Sequence, residues 1–209
     1  MFANSWKHVF VCESNKIDPQ PGYMGDNPAC HLYNNHLQAL NFVVSEGWEL
    51  NKHTPLDVHR FLTKGLPFFE DGGNSGKYRT VDVWIGHELC PNPLMLENLM
   101  SAWYEFSKKI MRDAENGVVK NLDAALSIHH YFETIHPFID GNGRTGRLLL
   151  QKILVDLGED PVIIYFEDRS EYYDAIQYFR DNYWDGNTVD YDKLIRDLKM
   201  GNLFSDFQL

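Results

Sequence analysis

The sequence predicts an all-α domain that carries one short β-hairpin. Apolar residues recur at helical spacing through most of the chain, while a period of two occurs only at residues 78–86. No internal repeat, low-complexity segment or linker divides the 209 residues, so residues 1–209 read as one domain, with 1–22 as an N-terminal segment and 28–200 as the core.

Taken in order, a first helix is expected over 5–17, stopped at DPQPG because Pro19 and Pro21 cannot continue it. A second follows Pro28 and runs to about residue 46, ending at Gly47. A third starts at Thr54, with Pro55 at its first position and Asp57 spaced for a capping box. EDGGNSGK (70–77) reads as a loop. YRTVDVWIG then alternates Val81, Val83 and Ile85 with Asp82 and Trp84, which suits a hairpin laid on a helical body. From Pro93, with Asn92 as cap, Leu96, Leu99, Met100, Trp103, Phe106 and Ile110 form one apolar stripe.

A further helix is expected over 122–135, with Leu122, Leu126, His129 and Phe132 on one face. RTGRLLLQKILVDL is nearly apolar around Leu148 to Leu154 and should be the buried central helix, ended by Gly158 and Pro161. Asp168 with Glu171 should cap the next helix, through 181, and a last helix covers about 189–200.

Composition fits a packed domain: 44% hydrophobic and 14% aromatic residues give a core without metal or disulfide staples. Cys12, Cys30 and Cys90 are widely spaced and suggest structural thiols in a reduced compartment. The opening MFANSWKHVF lacks a signal-peptide pattern and no run reaches transmembrane length, so a soluble cytoplasmic protein with no membrane partner is expected. The net charge of −11 argues against a nucleic-acid partner.

The polar material concentrates in HPFIDGNGRTGR, residues 136–147, between two apolar helical runs. A helix N-terminus offers unpaired N–H groups and partial positive charge, and Gly141 and Gly143 let an anion approach that backbone. Arg144 and Arg147 are three apart, hence neighbours on one helix face, and suit more than one phosphate. Asp140 adds the single carboxylate that commonly holds Mg²⁺ beside phosphates. His136 titrates near neutral pH and can take a proton from a hydroxyl. Together these parts imply phosphoryl or nucleotidyl transfer.

HPFIDGNGRTGR resembles the Fic family signature, HPFx(D/E)GNGRxxR, at every defined position, and GKYRTVDVWIG looks like that family's flap hairpin. The resemblance implies a Fic-domain helical bundle with a flap, acting as a protein adenylyltransferase on ATP with Mg²⁺ (or Mn²⁺). By that resemblance His136 is the general base toward a target Ser, Thr or Tyr hydroxyl, and Asp140 holds the metal. Gly141, Asn142 and Gly143 form the anion hole, Arg144 binds the β-phosphate and Arg147 the γ-phosphate. The branch resembling the Doc toxin has Lys in place of Gly141, so this glycine favours AMP over phosphate transfer. Tyr172 and Tyr173 match a pair lining the adenine pocket in some relatives. The flap, with Thr80, Val81, Asp82 and Val83, would dock the target protein, and a homodimer is a possible assembly because dimer contacts inhibit some relatives.

Many relatives also carry an inhibitory helix, (S/T)xxxE(G/N), whose Glu pairs with the second signature arginine. The nearest match is SNKIDP, with Ser14 in place but Asp18 for Glu and Pro19 for Gly or Asn. Asp is shorter by one methylene, about 1.5 Å, so weak inhibition or none is expected, and the reverse removal of AMP that the family's Glu can direct is in doubt. Two other readings stay open: a helical metal-dependent phosphohydrolase using His129 and His130 with His136 and Asp140, and a non-catalytic nucleotide-binding interaction module. His129 and His130 are expected to be packing or supporting residues.

Overall fold

The computed structural model describes residues 5–18 and 31–201. Pro19, Pro21, Pro28 and Cys30 lie outside them. The described helices are α1 (Ser5–Ile17), α2 (His31–Val43), α3 (Thr54–Thr63), α4 (Pro67–Asp71), α5 (Leu96–Glu115), α6 (Asn121–Ile135), α7 (Asn142–Asp156), α8 (Arg169–Tyr183) and α9 (Tyr191–Lys199). Two short strands, β1 (Trp84–Ile85) and β2 (Glu88–Leu89), pair antiparallel between α4 and α5.

Helices α6 and α7 pack against each other at the centre, with α5 and α8 on α6, α2 and α3 on α7, and α1 leaning on α2 and α7. Every residue of α6 from Ala124 to Ile135 is buried, whereas the first expected core residue of that helix, Leu122, is 37% exposed. A helix enclosed on all sides needs no single apolar face, which is why the one-face reading understated it. The stripe on α5 is buried throughout, around Trp103, whose indole N–H donates to the Ile128 carbonyl. Residues 148–154 of α7 are buried as expected. A satellite cluster of Leu32, Leu66, Phe69 and Ile139 roots the signature loop on the α3–α4 corner.

Several local expectations change. Asn92 does cap, accepting from the Leu94 N–H, but through a 3-10 turn at Pro93–Met95 that precedes α5. The capping box of α3 is absent: the Thr54 hydroxyl accepts from the Asn51 N–H, outside the helix, and Asp57 pairs with Arg60 at 2.6 Å. Asp168 sits at the N-cap of α8 without a side-chain cap bond. Helix α4, five residues opened by Pro67, was too short for periodicity to reveal.

The hairpin is also shorter and later than alternation suggested. The chain bends at Thr80 and Val81 and reaches β1 through Asp82 and Val83, and of this arm only the Val83 carbonyl joins the ladder, accepting from the Cys90 N–H at 3.0 Å. The Val81 carbonyl instead accepts from the Arg79 guanidinium at 3.0 Å, so it does not join the ladder with β2.

Candidate active site

Residues 136–147 form the α6–α7 connection and the first turns of α7. His136 is the C-cap of α6 and adopts φ 51°, ψ 63°, the one non-glycine residue with positive φ among the described residues. Left-handed backbone at a bulky residue costs on the order of 1–3 kcal/mol and persists only where neighbours fix it. Here Pro137 disfavours helical continuation, and the His136 N–H still donates to the Phe132 carbonyl. Asn142 then closes the loop on itself: its amide donates to the Phe138 carbonyl at 2.9 Å and its oxygen accepts from the Phe138 N–H at 2.8 Å. Gly141, at φ 80°, turns the chain into α7, and its N–H donates to the Asp140 carboxylate.

His59 of α3 supports this loop and was missed from sequence. Its ring stacks on Phe138 at 3.9 Å between centroids, its Nδ1 accepts from the Gly76 N–H, and its Nε2 lies 3.0 Å from the Asp140 carbonyl. Because Nδ1 accepts, Nε2 carries the proton and donates to Asp140. Burial lowers the His59 pKa to about 4, which keeps the ring neutral in that role. Nothing in the spacing links residue 59 to residue 140.

Both signature arginines are buried, with side chains 2% exposed. The Arg144 Nη2 lies 3.5 Å from Asp140, and its Nε has no hydrogen-bond partner. A buried guanidinium so lightly paired is costly unless an anion completes it. Arg147 is the opposite case. Its Nε donates to the Ser14 hydroxyl at 2.8 Å, and its Nη2 to the Ser14 carbonyl at 2.9 Å and the Asp18 carboxylate at 2.6 Å.

Asp18 therefore reaches Arg147, and the doubt raised by its missing methylene does not hold. The end of α1 stands directly over the start of α7, so a shorter acid suffices. Burial raises the Asp18 pKa, but the Arg147 guanidinium outweighs it and leaves the carboxyl below its usual range. A Cβ added at Gly143 would collide with both the Asp18 carboxylate and Arg147 Nη1, so Asp18 lies across the glycine in the first turn of α7.

A cavity of about 600 Å³ opens between this loop, the hairpin and α8. Its walls include His136, Gly143, Arg147, Asp18, Tyr172 and Tyr173. Tyr172 is buried, its hydroxyl 3.0 Å from His129 Nε2 and 3.4 Å from Arg147, while Tyr173 is 45% exposed and donates to the Ile17 carbonyl at 3.4 Å. His129 and His130 are both buried, and His129 packs on Tyr172. Among the described residues no three His, Cys, Asp or Glu side chains group as a metal set.

Burial pushes the His136 pKa down to about 4, partly countered by the Glu133 carbonyl and Asp18. Neutral imidazole is thus the form present at neutral pH, the form a general base requires. Glu133, one turn back on α6, was also missed. Its Oε2 lies 4.0 Å from His136 Nδ1, its Oε1 has no partner, and burial lifts its pKa to about 8.

The Fic/DOC family model matches residues 49–154, about half of the chain, which spans α3 through most of α7. The chain belongs to the Fic/DOC family. Among curated relatives it is 39% identical over 102 residues to a protein adenylyltransferase Fic of Nematostella vectensis, covering 49% of this chain and 23% of that protein. It is 36% identical over 137 residues to the protein of that name from Drosophila persimilis, covering 66% of this chain and 25% of that protein. The chain thus spans about a quarter of the length of these relatives. Among solved structures, a Fic domain containing signaling protein from Bacteroides thetaiotaomicron superposes with a TM-score of 0.73 at 19% identity, over 96% of this chain and 84% of that one. Residues 134–508 of Fic-1 from C. elegans superpose with a TM-score of 0.68 at 20% identity, over 96% of this chain and 62% of that one. The likeness is one of fold, an all-α Fic bundle, which in this chain carries a two-stranded hairpin.

Proposed function

We propose that this Fic protein is a protein adenylyltransferase, moving AMP from ATP to a Ser, Thr or Tyr hydroxyl of another protein. The observation that carries the reading is one cavity lined by a neutral His136, Gly143 at a glycine-rich helix N-terminus and the buried Arg147, with Arg144 buried one turn back on the same helix and outside the lining. The target hydroxyl oxygen attacks the α-phosphorus while its proton passes to the His136 imidazole. The bond from the α-phosphorus to the bridging oxygen breaks, and pyrophosphate departs.

Arg144, with its unpartnered Nε, receives charge on the β-phosphate, and Arg147 holds the γ-phosphate once freed. The N–H groups of Asn142 and Gly143 face the α-phosphate, with Gly141 turning the backbone into that hole. Asp140 is placed to hold Mg²⁺ or Mn²⁺: a single, 43% exposed carboxylate beside an anion cradle fits a hard cation that keeps most of its waters, and such a cation would neutralise phosphate charge. Tyr172 and Tyr173 line the adenine end, and the arm of Thr80, Val81, Asp82 and Val83 with the hairpin receives an extended target segment through main-chain hydrogen bonds.

In the conformation described, Asp18 and Ser14 occupy Arg147, so this is an inhibited enzyme that must release the end of α1 to bind ATP productively. We place the protein in the cytoplasm. No described helix is long and apolar enough to cross a membrane.

Incubation with ATP labelled at the α-phosphate, using the Asp18→Ala chain and candidate targets, should transfer label to protein, and His136→Ala should abolish it. Label supplied at the γ-phosphate should not transfer. Transfer that persists in His136→Ala would remove the assigned base.

A further inference from the structure

Arg79 is 3% exposed, and the hydrogen bonds of its guanidinium run to three main-chain carbonyls. Its Nε donates to His136 at 2.9 Å, Nη1 to Val81 at 3.0 Å and Nη2 to Pro91 at 2.6 Å. Its own N–H donates to the Pro137 carbonyl at 2.9 Å. Val81 precedes β1 and Pro91 follows β2, so a single planar group ties both arms of the hairpin together. The same group holds the carbonyl of His136, the one non-glycine residue in left-handed backbone among the described residues.

A buried guanidinium costs desolvation, which carbonyl dipoles offset less completely than a carboxylate. Bracing a surface hairpin does not need such an arrangement. At its tip the hairpin is already tied to α8: Arg180 meets the Glu88 carboxylate at 3.0 Å and donates to the Leu89 carbonyl at 3.2 Å, and Gln177 donates to Glu88 at 3.0 Å. What Arg79 adds is a fixed relation between the base of the hairpin and the backbone of His136.

We infer that Arg79 is a positioning residue that couples the target-docking hairpin to the His136 backbone, so that a segment bound along the hairpin presents its hydroxyl to a correctly held imidazole. The functional half of this inference rests on the adenylyltransferase reading; the coupling itself does not. A target strand pairing with the hairpin pulls on the Val81 and Pro91 arms, and the shared guanidinium passes that shift to the His136 carbonyl. Lysine keeps the charge at this position, but a single ammonium on a flexible stem cannot reproduce the planar fork that spans three carbonyls.

The test uses the full chain with Arg79→Lys and Arg79→Ala, and Lys77→Ala, an exposed residue just ahead of Arg79, as a control. Amide exchange reads the hairpin, and the nitrogen resonances of histidine-labelled protein read the His136 ring. In Arg79→Lys the Cys90 amide, which closes the hairpin on Val83, should exchange about tenfold faster or more. The His136 ring signals should shift, while α5–α7 amides keep their protection and Lys77→Ala changes neither. In AMP transfer by the Asp18→Ala parent, adding Arg79→Lys should lower kcat about tenfold or more and leave the ATP KM within about threefold.

A loosened hairpin with unmoved His136 signals would reduce Arg79 to a brace and overturn the coupling. Loss of protection across α5–α7 in step with the hairpin, in the lysine variant as well as the alanine one, would overturn it too. No transfer by the Asp18→Ala parent would sink the adenylyltransferase reading, and the exchange and resonance measurements would still decide the coupling.

Discussion

At the residue scale the site depends on which charges are paired and which are left waiting. Arg144 is buried with one long contact to Asp140, whereas Arg147 is saturated by Ser14 and Asp18. Removing Asp18 frees the guanidinium that the adenylyltransferase reading assigns to the γ-phosphate, so Asp18→Ala should raise AMP transfer on the order of tenfold or more by shifting the population toward the ATP-competent form. The sign of its pH dependence follows from a carboxyl held below its usual 3.8. The ion pair is complete above that value and is lost only as pH falls through the depressed pKa, so mild acid should not relieve inhibition. Transfer by the wild-type chain that climbs between about pH 7 and 5 would contradict this assignment. Glu133 behaves in the opposite way. Its carboxyl keeps its proton up to about 8 against an ordinary 4.5, so the folded state binds more protons between those values and stability falls as pH rises. Glu133→Gln should flatten that slope, which is on the order of a few kcal/mol across the window; denaturant melts at several pH values would show it.

At the element scale, α6 and α7 meet through a glycine. A Cβ on Gly146 would collide with the Glu133 carboxylate and stand 3.0 Å from the Phe132 ring. Gly146→Ala should therefore destabilise the domain by about 1–3 kcal/mol, against the gain in helix propensity that alanine ordinarily brings. A chemical melt with unchanged midpoint would show that the two helices can part at little cost. Helix identity in this pair was legible from apolar content alone, and so was the buried state of residues 148–154. The hairpin was legible in kind but not in register, because alternation of Val81, Val83 and Ile85 records side-chain facing and not which carbonyls find strand partners. The Val81 carbonyl went to Arg79, and the ladder began later.

At the scale of the whole molecule, the chain places its first described helix over the N-terminus of its central one, 129 residues apart at the Asp18–Arg147 contact. On the adenylyltransferase reading that contact is inhibitory, and removing His136 should abolish transfer from either the wild-type or the Asp18→Ala chain. The supporting residues also come from separate elements: His59 from α3, Arg79 from the hairpin arm and Glu133 from α6 all converge on residues 136–146.

By itself the sequence determined the helical class, the central pair and the members of the signature loop, since each depends on residues near one another in the chain. Periodicity, glycine placement and the His–Asp–Arg spacing are all local. The tertiary structure decided whether Asp18 reaches Arg147, which backbone atoms Arg79 and His59 hold, and that Glu133 lies buried beside His136. Those are distances between elements far apart in sequence, set by how α1, α3 and the hairpin pack on α6 and α7, and no spacing within a single segment encodes them.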